Sequence, residues 1–93
     1  MMVYKTRPGV VLTEICGEYV LVSARALLDL CPYVTQINET SAFLWKRLET
    51  GASAEQLVSA AAEEYEIEDP EALLSAIDDF LRQMQDLNYL LTE

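Results

Sequence analysis

The stretch in which the chain changes from strand to helix is residues 33–48, YVTQINETSAFLWKRL. Its first half alternates as a β-strand does, with two opposite faces formed by Tyr33, Thr35 and Ile37 and by Val34, Gln36 and Asn38. After Asn38 the apolar residues recur at helical spacing, and Asn38 itself is a favourable N-cap. The stretch therefore predicts a strand over residues 33–38 that leads directly into a helix.

Two β-branched runs precede this stretch, at residues 10–15 and 18–22. Cys16-Gly17 separates them, and glycine readily takes the positive φ of a tight turn, so the runs predict a hairpin. Residues 1–6 are expected to form a loose or edge-paired start. The apolar connection 23–31 fits either a helical turn or an irregular link. Both faces of the hairpin carry apolar residues, which allows a second cover such as another copy of the chain in a homodimer.

The second half of the chain carries start signals for two further helices. Ser53 and Gln56 have the spacing of a capping box, and Asp69-Pro70 combines an N-cap with a proline at the first helical position. The third helix has an apolar stripe formed by Leu73, Ile77, Phe80, Met84 and Leu87. The order predicts one α+β domain over residues 1–93. Its three-stranded antiparallel sheet followed by three helices has a winged helix-turn-helix-like outline.

The charge distribution excludes two classes of partner. The 93 residues carry 16 acidic and 6 basic side chains, which gives a net charge of −10. Residues 49–93 hold 12 of the acidic side chains and one basic side chain, Arg82. Nucleic acid and anionic membranes bind through clustered Lys and Arg, so neither is expected as a partner. The sequence has no apolar run long enough to span a membrane, and its start does not have the pattern of a secretory signal. A cytoplasmic protein is therefore expected.

The residue types also argue against catalysis and against a cofactor. There is no histidine for proton transfer and no glycine-rich phosphate loop, so an enzyme is not expected. Cys16 and Cys31 are too few for a disulfide framework, and without histidine they cannot complete a zinc site. Free thiols are expected, although a bridge between the two cysteines is geometrically possible.

The third predicted strand is suited to recruiting a peptide. No charged residue lies between Asp29 and Glu39. Natural edge strands are usually blunted by charges or proline, because unpaired backbone groups recruit another strand. At an edge, this strand would be open to β-augmentation, but periodicity alone leaves open whether the strand is central or at the edge. The free energy gained from backbone hydrogen bonds to a peptide is about as large as the free energy lost in ordering that peptide. Affinity would therefore require an apolar groove between this strand and the third helix.

Several segments resemble the PqqD-like proteins, the family of pyrroloquinoline quinone biosynthesis protein D. The matching segments are 7–12 (RPGVVL), 17–21 (GEYVL), 37–45 (INETSAFLW), 54–57 (AEQL) and 80–84 (FLRQM). Together they extend over nearly the whole chain. The family commonly has glycine where this chain has Asn88.

This resemblance implies a non-catalytic peptide chaperone, also called a precursor-peptide recognition element, without a cofactor of its own. Such domains bind the leader of a ribosomally made precursor peptide and present it to a modifying enzyme, often a radical SAM enzyme. The residues implied for the backbone ladder are Tyr33, Val34, Thr35, Gln36, Ile37 and Asn38, and those for an apolar helix wall are Phe80, Met84 and Leu87. The alternative is an acidic regulatory or structural subunit that docks on a basic partner enzyme through the second and third helices.

Overall fold

The strands and helices follow the predicted order, with an additional small sheet at the chain ends. The computed structural model describes residues 2–92. Its strands are β1 (Tyr4–Thr6), β2 (Val10–Ile15), β3 (Glu18–Ser23), β4 (Val34–Ile37) and β5 (Leu90–Thr92). Its helices are α1 (Glu39–Leu48), α2 (Ala54–Tyr65) and α3 (Pro70–Asp86). The predicted α+β fold, a three-stranded antiparallel sheet followed by three helices, is confirmed.

The main sheet has the order β2-β3-β4 and is antiparallel throughout. Its inner face packs on the helices through side chains such as Val10 and Leu21, and Leu21 is fully buried. On its outer face the neighbouring residues remain exposed, for example Val11 and Val34. The connection from β3 to β4 contains one short 3-10 turn, Arg25–Leu27, which corresponds to the helical-turn alternative for this segment.

A second sheet of two short strands joins the chain ends. Residues 4–6 of β1 pair with residues 90–92 of β5, which confirms an edge-paired start but adds a C-terminal strand that the sequence pattern does not reveal. Three residues are too few to show a period of two, so this strand is visible only through its partner. Tyr4 also exchanges two backbone hydrogen bonds with Ala52, at 2.8 and 2.9 Å, which ties the loop between α1 and α2 to β1.

Each helix begins at its predicted cap. The Asn38 side chain accepts a hydrogen bond from the Ser41 N–H at 2.7 Å. Ser53 and Gln56 form the reciprocal capping box. The Asp69 carboxylate accepts from the first-turn N–H groups of α3. Such caps satisfy backbone donors that the helix itself leaves unpaired, and each contributes about 0.5–2 kcal/mol.

The core lies between the inner face of the sheet and the three helices. Its largest members are Trp45 and Tyr89, both fully buried, with ring centroids 6.1 Å apart in an edge-to-face arrangement. The helical core is completed by Leu48, Leu57 and Ile77. Within residues 2–92, no helix combines the length and apolar character that crossing a membrane requires.

We expect Asn88 to stabilise the end of α3 in two ways. Its φ of 63° lies in the left-handed region, and its side chain donates to the Leu30 carbonyl at 2.7 Å. Asn88→Ala loses the hydrogen bond and puts alanine in a left-handed conformation that asparagine tolerates better and that costs alanine about 1–2 kcal/mol, so it should lower the free energy of unfolding by roughly 2 kcal/mol. Asn88→Gly loses only the hydrogen bond and should cost about 1 kcal/mol. Urea unfolding measures both, and equal losses would contradict the backbone contribution.

Candidate functional site

One edge of the main sheet, formed by β4, has no partner among residues 2–92. The Ser23 N–H donates to the Tyr33 carbonyl at 2.9 Å, which makes these two residues a hydrogen-bonded pair of the antiparallel ladder. Because such pairs alternate along the ladder, the backbone of Thr35 faces β3, whereas the N–H and C=O of Val34 and Gln36 face away from the sheet. β4 is therefore an edge strand, and the alternative of a central strand is excluded.

The opposite edge of the sheet, on β2, differs in charge. The Ala24 N–H donates to the Gly9 carbonyl at 2.7 Å, and by the same alternation Leu12 and Glu14 direct their backbone groups outward. Glu14 is exposed on this edge, and charged side chains are a common protection against unwanted strand pairing. Of the two edges of the main sheet, only the β4 edge combines outward backbone groups with a complete absence of charged side chains.

The β4 edge is held in place by Tyr89, the third residue after the end of α3. The Tyr89 hydroxyl shares a hydrogen bond of 2.5 Å with the Thr35 hydroxyl and lies 3.3 Å from the Pro32 carbonyl, to which it donates. The Ser23 hydroxyl donates to the same carbonyl at 2.6 Å. These hydrogen bonds hold β4 in position relative to the end of α3.

Removing the Tyr89 hydroxyl tests this tether. We expect Tyr89→Phe to lower the free energy of unfolding by about 1–3 kcal/mol, because it removes a buried hydrogen bond and leaves the Thr35 hydroxyl without its partner. Urea unfolding gives the loss, and Thr35→Val supplies the matched control that removes the other hydroxyl. Double substitution should cost less than the sum of the two single losses, and additive losses would show that the hydroxyls do not act together.

An apolar groove begins where β4 ends. It lies between the start of α1 and the middle of α3 and has a volume of about 180 Å³. Its apolar walls are formed by Leu44, Ala61, Leu73, Ala76, Ile77 and Phe80, and its polar end by Asn38, Thr40 and Ser41. We call it the α1–α3 groove. Its size suits one aliphatic or aromatic side chain of a bound peptide.

The strand of the predicted backbone ladder is shorter in the structure than the predicted residues 33–38. The strand covers residues 34–37, and Tyr33 extends the pairing only toward β3. Asn38 belongs to the helix, because its carbonyl accepts from the Ala42 N–H at 2.9 Å and its side chain caps α1. Within the predicted set, the outward backbone groups are those of Val34 and Gln36.

The three predicted helix-wall residues are placed differently from one another. Phe80 lines the α1–α3 groove and is 8% exposed, whereas Met84 is 2% exposed and belongs to the core. Leu87 is half-buried at the end of α3. The connection between β3 and β4 lies against that end of the helix, where the Cys31 thiol is 3.2 Å from the Asn88 carbonyl. Peptide contact by these three side chains stays a prediction.

On α3, sequence reasoning missed three further wall residues: Leu73, Ala76 and Ile77. Leu73 and Ile77 belong to the same apolar stripe as Phe80, one to two turns earlier, so the stripe identified the helix face but not its open part. No sequence signal distinguishes Ala76, because alanine is favourable at every helix position. Only its position on the groove wall in the folded chain identifies it.

The exposed face of α3 is strongly acidic. Glu71, Asp78, Asp79 and Asp86 are all exposed. Arg82 lies 3.8 Å from Asp79, but both side chains are nearly three-quarters exposed, so the pair contributes little. The carboxylates on this face would repel the phosphates of a nucleic acid.

The cysteines do not take part in the candidate site. Cys16 is an exposed free thiol at the turn between β2 and β3, and Cys31 is a buried free thiol. In the described part of the chain, no group of three His, Cys, Asp or Glu side chains could hold a metal ion.

Comparison with known proteins connects this geometry to a family model and to two solved structures. The model of coenzyme PQQ synthesis protein D (PqqD) matches residues 18–90. The structure of TbiB1 in complex with the TbiA(beta) leader peptide superposes with a TM-score of 0.74 at 26% identity, covering 92% of this chain and 93% of that one. Lasso peptide synthetase B1 complexed with the leader peptide gives a TM-score of 0.73 at 22% identity, covering 95% and 96%. No curated protein sequence matches this chain.

Proposed function

Because the chain belongs to the PqqD family, we propose that it is a non-catalytic recognition domain for the leader segment of a ribosomally made precursor peptide. The observation that carries this proposal is the uncharged, unpartnered edge of β4 beside the α1–α3 groove. TbiB1, which shares the fold at 26% identity, has a structure in complex with the TbiA(beta) leader peptide. Ribosomal precursors are made in the cytoplasm, so we place this binding there.

The leader would bind as an additional strand on β4. The outward N–H and C=O groups of Val34 and Gln36 would form the backbone ladder with it. A peptide that continues past Asn38 reaches the mouth of the α1–α3 groove, where one of its apolar side chains can enter. Strand pairing would then fix the direction and register of the leader, and the groove would select the side chain.

The energetics require both parts of the site. Four backbone hydrogen bonds at Val34 and Gln36 contribute about 2–6 kcal/mol, whereas ordering four peptide residues costs about 4–8 kcal/mol. Backbone pairing therefore supplies no net affinity. Burying one large apolar side chain adds about 1.5–3 kcal/mol to the binding free energy. A leader with roughly micromolar affinity needs a binding free energy of about 8 kcal/mol, so it must make further apolar contacts along β4. The exposed side chains of Tyr33 and Val34 are placed to make them.

The role of the domain would be to present the leader to a modifying enzyme. Holding the leader on one protein raises the effective concentration of the attached core peptide at the enzyme, so weak contacts between the core and the enzyme suffice. A radical SAM enzyme is the partner that we propose for this step. The residues of the domain supply binding and orientation, and the chemistry belongs to the partner.

Calorimetric titration of the chain with synthetic leaders tests the proposal. The leaders are taken from short reading frames beside the gene, and scrambled versions of the same composition are the controls. We expect saturable, roughly micromolar binding of one native leader and no binding of its scrambled version. Amide shifts in ¹⁵N NMR should then be centred on Val34 and Gln36. Binding of scrambled leaders with equal affinity, or shifts that leave β4 unchanged, would contradict strand addition.

A further inference from the structure

A second apolar groove lies between α2 and α3, away from β4. Its volume is about 310 Å³, larger than that of the α1–α3 groove. The residues that line this α2–α3 groove are Glu55, Val58, Ser59, Pro70, Glu71 and Leu74. Leu74 is 39% exposed although it is a large apolar residue, so the groove offers an apolar floor to a ligand.

The rim and surroundings of this groove are acidic. Glu55 and Glu71 lie on its rim, and no basic side chain lines it. Residues 54–86, which form α2, α3 and their connection, contain ten acidic side chains and one basic side chain, and all ten acidic side chains are exposed. A second copy of this surface would be repelled, whereas a segment rich in Lys and Arg would be attracted.

We propose that the α2–α3 groove binds a basic segment of a partner protein in which Lys and Arg flank an apolar side chain. The apolar side chain contacts Val58, Pro70 and Leu74, and the flanking cations lie near Glu55 and Glu71. Electrostatic attraction accelerates docking, and the apolar contact gives it a defined position. The proposal does not depend on leader binding, because it uses a different surface and a different ligand chemistry.

The two grooves can be occupied at the same time. Leu73 lines the α1–α3 groove and Leu74 lines the α2–α3 groove. Consecutive residues of a helix point about 100° apart, so the two grooves lie on different faces of α3. The two grooves share no lining residue, so a peptide segment held in the second groove leaves the first groove free.

Titration of the ¹⁵N-labelled chain with a synthetic peptide of about 12 residues, roughly three helical turns, tests the proposal. The probe carries Leu at helical spacing between Lys and Arg. One matched peptide replaces Lys and Arg by Gln, and another replaces Leu by Ser. We expect amide shifts centred on Val58, Ser59 and Leu74 with the probe, and binding at least about tenfold weaker with either matched peptide. The affinity for the probe should fall steeply with added salt.

Two pairs of variants locate the binding. Leu74→Ser should weaken the probe at least about fivefold, whereas Ile67→Ser, which removes an apolar side chain of the same 39% exposure outside the groove, should change it less than about twofold. Replacing Glu55 and Glu71 by Gln should weaken the probe more than replacing Glu63 by Gln and Asp78 by Asn, although both changes remove two negative charges.

Four outcomes would overturn the proposal. Equal effects of the two double variants, or undiminished binding of the serine peptide, would show that the probe responds only to net charge. Undiminished binding of the glutamine peptide would show that the acidic rim has no role. Shifts centred on Val34 and Gln36 would place the probe at the β4 edge. That last result would leave the leader proposal intact, because leader affinity is measured separately.

Discussion

Proline at position 34 or 36 is expected to weaken leader binding about a hundredfold while the domain remains folded. Each substitution removes one outward N–H and so leaves a carbonyl of the bound leader unpaired, which costs about 1–3 kcal/mol. The proline ring also occupies space that the incoming strand needs. The ladder with β3 is preserved, because Val34 and Gln36 direct their backbone groups away from it. Calorimetry with a confirmed leader measures the loss of affinity.

Glu14→Pro is the matched control for the edge substitutions. Glu14 is an exposed residue whose backbone groups point outward on the opposite edge of the same sheet. Proline there should leave leader affinity within about twofold of the unsubstituted chain, and Glu14→Gln corrects for the lost charge. Unchanged affinity in folded Val34→Pro and Gln36→Pro variants would refute strand addition on β4. An equal loss in Glu14→Pro would show that the sheet binds through its other edge or is generally disturbed.

Filling the α1–α3 groove is expected to weaken the leader by a similar factor. Ala76 is exposed and lines the groove, so Ala76→Phe places a ring where the leader's apolar side chain would enter. The leader then loses the burial of that side chain, about 1.5–3 kcal/mol, and its strand is displaced from the groove mouth, which together predict a loss of about fifty- to a hundredfold. The free energy of unfolding should change by less than about 0.5 kcal/mol, because no buried atom is removed.

Ser75→Phe provides the comparison for the groove substitution. Ser75 is the preceding residue of α3, is also exposed, and lines neither groove. A phenylalanine there adds the same apolar surface without entering the site, so leader affinity should be preserved. Full affinity in the Ala76→Phe variant would show that the leader's apolar contacts lie elsewhere. Truncating Met84 would be a poorer test, since this residue is 2% exposed and its loss should destabilise the fold by about 2–5 kcal/mol.

The proline substitutions on β4 and Ala76→Phe in the groove test the two parts of the proposed site separately. If leader binding depends on the strand alone, only the prolines will weaken it, and if it depends on the groove alone, only Ala76→Phe will. A leader shortened before the segment that reaches the groove should be insensitive to Ala76→Phe but sensitive to Val34→Pro. Such a pattern would also give the direction in which the leader runs along β4.

Most helices and strands of the fold could be predicted from interactions between residues that are neighbours in the sequence. The three N-caps at Asn38, Ser53 and Asp69 were predicted from single residues and their neighbours, because capping involves atoms at most three positions apart. The left-handed conformation of Asn88 was predictable for the same reason. β5 was not, since a strand of three residues is defined by its pairing with β1, which lies more than 80 positions away in the chain.

The amino-acid order was enough to specify the change from strand to helix at Asn38, the acidic second half and the absence of charge along β4, since these are properties of neighbouring residues. The free edge of β4 and the position of the groove required the folded chain. Periodicity reports which face of a strand is apolar but not which strand lies next to it. Likewise, the stripe on α3 marked most of the side chains that face inward, and the packing of α1 and of the β3–β4 connection determined which of them a ligand can reach.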